Sequence, residues 1–63
     1  MYVIEKHRNG VFFEHTKNMQ NHILMFTDKG EADTQTRILN KCRNRLPTDV
    51  YVTADAPPGV GPS

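Results

Sequence analysis

The sequence predicts a small α+β domain in the order β-β-β-α-β, with one helix on one face of an antiparallel or mixed sheet of three to four strands. Three observations carry this: Asn9-Gly10 lies between two strand-prone runs, Asp28 and Glu31 have capping-box spacing, and a β-branched run follows Pro47. The chain has 63 residues, and compact domains run from about 50 to 250, so there is material for one core only. Residues 1–53 are assigned to that domain and residues 54–63 to a tail.

The first third reads as a β-hairpin. Asn9 and Gly10 tolerate the positive φ angles of a type I′ turn, with Tyr2, Val3 and Ile4 on one side and Val11, Phe12 and Phe13 on the other. A two-residue loop sets Arg8 opposite Val11, Lys6 opposite Phe13, Ile4 opposite His15 and Tyr2 opposite Lys17. One face then carries Tyr2, Ile4, Val11 and Phe13. The same register opposes Glu5 and Glu14, a repulsion that a slip to a longer loop would relieve.

Residues 16–21 are polar and read as a loop. The run at 22–26, His-Ile-Leu-Met-Phe, is short and continuously apolar after its histidine, which suits a central strand buried on both faces.

Asp28 can accept from the free amides of a first helical turn, and Glu31 can complete the box. At 100° per residue, Ala32, Gln35, Thr36, Leu39, Cys42 and Leu46 share one sector facing the sheet, with Ile38 at its edge. Arg37, Lys41 and Arg45 fall on the opposite side at i, i+4, i+8 as a basic ridge, with Arg43 on another side. Pro47 ends the helix because the residue before a proline is pushed out of the helical region. The final strand is residues 49–53. The remainder, with three prolines and two glycines and Val60 as its one large apolar side chain, buries too little to offset the entropy of ordering and is expected to be flexible.

Composition narrows the function classes. With 37% hydrophobic and 24% charged residues the chain is a lean soluble domain rather than a disordered polyelectrolyte. No apolar run approaches the roughly 20 residues of a membrane span, and the first residues lack the pattern of a signal peptide. The lone Cys42 cannot close an internal disulfide, which favours a reducing compartment, so a cytoplasmic location is expected. The net charge of +1 gives no global attraction to polyanions. Any such attraction is local: residues 28–33 sum to −2, from Asp28, Glu31 and Asp33 against Lys29, and residues 37–45 sum to +4, from Arg37, Lys41, Arg43 and Arg45.

Chemistry-bearing patterns are few. His7, His15, His22 and Cys42 are the soft-metal candidates, but none has a ligand spacing such as C-x₂-C, and Cys42 falls on the predicted core side. Gly30 lacks the companion glycines of a phosphate loop. No catalytic, cofactor or metal residue is assigned, and a sheet with one helix leaves little room for a pocket of about 300 Å³. The basic ridge is the main surface feature. It is suited to an acidic patch on a protein or, as the alternative, to nucleic-acid phosphates. Tyr51 and Phe12 are the aromatics expected to keep some exposure, since one helix leaves the second sheet face open. That face or an unpaired edge strand could also support a homodimer.

The layout of a hairpin, a short strand, one helix and the segment 46–53 (LPTDVYVT) running into a proline-containing end resembles that of small bacteriophage early proteins that bind and inhibit host RNA polymerase. The resemblance implies a class of tiny, enzyme-free proteins that occupy a surface on a larger machine in the host cytoplasm. No functional residue is carried over from it. The expected function is therefore binding and inhibition or redirection of a larger protein, with Arg37, Lys41, Arg43, Arg45, Tyr51 and Phe12 as the contacts.

Overall fold

A computed structural model describes residues 1–57. Its elements are β1 (Tyr2–Arg8), β2 (Val11–His15), β3 (Met25–Phe26), α1 (Lys29–Asn40) and β4 (Asp49–Asp55). They form a four-stranded antiparallel sheet with one helix, the α+β class the sequence predicts.

β1 is the centre of the sheet. It pairs with β4 along its full length, from Tyr2 opposite Asp55 to Arg8 opposite Asp49. On its other side β2 takes the end from Glu5 to Arg8, and β3 takes Tyr2 and Val3. The run 22–26 is therefore not the central strand. Only Met25 and Phe26 enter the sheet, as an edge, while Leu24 donates its amide to the Thr16 carbonyl and Ile23 bridges to Lys17. An apolar run of this length can serve either position, and Val3 and Ile4, both 0% exposed, supply the two-faced burial that the centre requires. β3 and β4 lie on opposite sides of β1 and are not neighbours.

The hairpin has the expected turn, with Asn9 at φ 55° and Gly10 at φ 80°. Its register departs from a plain two-residue hairpin after His7 opposite Phe12, where a bulge at Phe13 brings Glu14 opposite Lys6 and His15 opposite Glu5. The bulge relieves the Glu5–Glu14 opposition within β2 rather than by lengthening the loop.

Paired residues share a face. The helix side carries Tyr2, Ile4, Lys6 and Arg8 of β1 with Asp49, Tyr51, Thr53 and Asp55 of β4, and the far side carries Val3, Glu5 and His7 with Val50, Val52 and Ala54. α1 rests on the helix side, where the Thr36 and Thr53 hydroxyls are 2.8 Å apart and Ala32 is fully buried. The Asp28 carboxylate accepts from the Gly30 amide, as the capping signal indicates. The helix covers only part of its sheet face: Val11, 66% exposed, and Phe13, 48% exposed, lie beyond it. Among the described residues no helix is long and apolar enough to cross a membrane.

β4 runs two residues past the expected boundary at 53, through Ala54 and Asp55, and the Ala56 amide still donates to the Met1 carbonyl. The rest of the expected tail, 58–63, lies outside the described residues.

Candidate protein-interaction surface

The helix ends at Asn40, six residues short of Leu46, and Lys41 is its C-cap. The chain is turned there by side-chain hydrogen bonds. Asn40 Nδ2 donates to the Tyr51 carbonyl at 2.9 Å and Asn40 Oδ1 accepts from the Tyr51 amide at 2.8 Å. The Asn40 carbonyl, which a longer helix would use for the next turn, accepts from Arg45 Nε at 2.9 Å. Arg45 also donates through Nη1 to the backbone carbonyls of Leu46 and Asp49.

This corrects three expectations. Arg45 is outside the helix and holds the return turn instead of extending a ridge into water. Cys42 is exposed rather than packed on the sheet, and Leu46 is 53% exposed. All three follow from one cause: 100° spacing has no meaning beyond Asn40, where backbone and side-chain bonds to β4 replace helical ones.

What remains of the basic surface is compact. Arg37 in the last turn, Lys41 at the cap and Arg43 just beyond are exposed. Among the described residues none of the three joins an ion pair, Arg37 included although Asp33 lies one turn before it. Asp28 and Glu31 lie at the start of α1, six or more residues and so about 9 Å or more along the axis from Arg37, beyond the Debye length of roughly 8 Å at physiological salt. Asp33, by contrast, is one turn, about 6 Å, before Arg37. The helix is thus polarised, acidic at its start and basic at its end, in the sense that also complements its dipole.

Asp49, the remaining nearby acid, is withdrawn. It is 2% exposed and takes Arg8 Nε at 2.8 Å and Arg8 Nη2 at 3.2 Å, with Lys6 Nζ at 3.7 Å. The hydrogen bonds from Arg8, reinforced by the charges of Arg8 and Lys6, hold the Asp49 carboxyl below its ordinary range. The same bond raises Arg8 above its already high value. Around this pair, Arg8 stacks 4.1 Å from the Phe13 ring centroid, and Lys6 lies 5.8 Å from Phe13 and 5.9 Å from Tyr51. Tyr51 is therefore half-buried beneath Lys6, which already pairs with Asp49.

Phe12 is on the far side of the sheet, 47% exposed, edge-on to His7 at 6.1 Å and to His15 at 5.1 Å. Val50 and Val52 share that face at 47% and 36% exposure. The six residues expected to make contacts thus do not form one surface. Arg37, Lys41 and Arg43 are exposed at and just past the end of α1, Arg45 is structural, Tyr51 lies inside the Arg8–Asp49 group, and Phe12 faces away. No local signal marks the Arg8–Asp49 and Asn40–Tyr51 links, because both depend on β4 returning beside β1.

Among the described residues no three of His, Cys, Asp and Glu gather closely enough to hold a metal ion. His7 and His15 lie on the far face, His22 in the 16–24 loop and Cys42 past the helix. A concavity of about 660 Å³ runs beside the helix start between Phe26, Asp28, Gly30, Glu31, Thr34 and Gln35, as an open groove. Comparison with protein families, with curated proteins and with solved structures returns no match for this chain.

Proposed function

We propose that the chain is a small non-enzymatic interaction protein that binds a larger protein and inhibits or redirects it, using the cations at the end of α1. The observation that carries this reading is that Arg37, Lys41 and Arg43 are exposed together and joined in no ion pair among the described residues. Such a cluster is complementary to an acidic patch, where arginine is favoured at contact centres and charge speeds encounter. The layout resemblance to phage inhibitors of host RNA polymerase supports a host-takeover or anti-defence role in the host cytoplasm, and it makes bacterial RNA polymerase the first defined partner to try.

Nucleic acid is the second reading, since the same cations could meet phosphates. Three cations are few against the roughly six to ten phosphate contacts of typical duplex binders.

The test uses immobilised wild-type protein and a triple variant, Arg37→Glu with Lys41→Glu and Arg43→Glu; Arg45 is left intact because it holds the turn. Wild type should retain purified bacterial RNA polymerase, or a protein from host lysate, that the triple variant releases, with identical circular-dichroism spectra. Equal retention by both would reject this surface. Labelled DNA and RNA titrated at two salt concentrations separate the second reading, which requires binding that weakens steeply with salt.

A further inference from the structure

The two edges of the sheet are treated differently. β4 is a full-length edge strand whose outer backbone is occupied at Tyr51 by the Asn40 amide and at Asp49 by Arg45 and by the Leu46 carbonyl. The other edge is β2, with the two-residue β3 beside it along β1. It pairs with β1 alone among the described residues, and it presents Val11, Phe12 and Phe13 at 66%, 47% and 48% exposure. An exposed, apolar, unpaired strand is a template for another strand.

We infer that two copies of this chain pair antiparallel through β2, giving one continuous sheet across a two-fold axis. The occupant is a second copy because β2 is complementary to itself in a specific register. With the axis at Phe12, each Phe12 lies beside its twin on the far face. Val11 of one copy then meets Phe13 of the other on the helix side, the side both already occupy. Glu14 falls opposite Gly10, so no acid opposes an acid. An axis through this edge pairs the outer side of β2 in both copies at once. The alternative of β2 adding to β4 of a neighbour would grow without closing, and the Asn40 and Arg45 plugs oppose it.

The pairing is expected to be weak. Half-exposed phenylalanines offer roughly 100 Å² each, and the bulge at Phe13 shortens the paired stretch. The apolar surface gained is several hundred Å², below the roughly 1,200 Å² typical of tight specific pairs. Dissociation should fall in the micromolar range, readable as a concentration-dependent mass.

Sedimentation of the full chain from about 5 µM to 1 mM provides the test. Wild type should pass from monomer to dimer within this range. Phe12→Lys and, separately, Val11→Lys should each raise the dissociation constant at least tenfold, while Val52→Lys, on the far face but on β4, should leave it unchanged. Circular dichroism identifies any variant that fails to fold, and the two β2 variants act as replacements for one another. A wild type monomeric throughout would overturn the proposal. A dimer broken by Val52→Lys but not by either β2 variant would also overturn it, placing the contact on the open sheet face.

Discussion

Asn40 makes the contact a neighbouring strand would make to Tyr51: its side-chain amide donates to the Tyr51 carbonyl at 2.9 Å and accepts from the Tyr51 amide at 2.8 Å. One residue thereby ends the helix, ties it to β4 and closes the sheet edge to other chains.

Asn40→Ala is expected to lower stability by about 1–3 kcal/mol, since it leaves two backbone groups of Tyr51 without their partners. The loss must exceed the gain in helix propensity of several tenths of a kcal/mol that alanine brings. Asn40→Asp keeps the acceptor but sets a carboxylate against a carbonyl and at the wrong end of the helix dipole, so it should be destabilised as well. Urea denaturation of the three proteins measures this. An alanine variant as stable as wild type would mean that water serves Tyr51 equally well.

The Arg8–Asp49 pair sets an acid limit. Asp49 is held below its ordinary range by Arg8 first and Lys6 second, so its contribution is fully present above the unfolded value of about 3.9. That contribution disappears as pH falls through the depressed folded value. Arg8, shifted upward, changes nothing below pH 12. Asp49→Asn should therefore destabilise the protein at pH 7 and flatten the decline in melting temperature between pH 5 and pH 2. Parallel acid profiles for variant and wild type would show that other carboxylates set the limit.

Legibility in the sequence follows the range of the interaction. The Asn9-Gly10 turn and the Asp28 cap are decided within four residues, and both stand where the spacing puts them. The shared face of Tyr2, Ile4, Val11 and Phe13 also follows from strand alternation and survives the bulge. The helix end does not follow in this way. Nothing in residues 41–46 forbids helix, and Asn40 stops it through a partner eleven residues away. Arg45 is legible as a cation but not as a plug, because its acceptors are backbone carbonyls that carry no residue code. The identity of the central strand is not legible for the same reason: Val3-Ile4 and the 22–26 run are both apolar, and only the pairing with β4 distinguishes them.

The helix is seated on β4 by a second polar contact, between the Thr36 and Thr53 hydroxyls at 2.8 Å. Thr36 spends its only proton on the Ala32 carbonyl at 2.8 Å, so Thr53 is the donor and Thr36 the acceptor. Thr53→Val should cost about 0.5–1.5 kcal/mol by removing that donor, and Thr36→Val somewhat more, because it strands the Thr53 proton as well. The double Val variant replaces both hydroxyls by methyls at a half-buried helix–sheet contact and keeps both positions β-branched. Its loss should be smaller than the sum of the two single losses, a coupling of about 0.5 kcal/mol or more in a double-mutant cycle measured by urea denaturation. Strictly additive losses would show that the two hydroxyls are each served by water and that their mutual contact does not hold the helix in place.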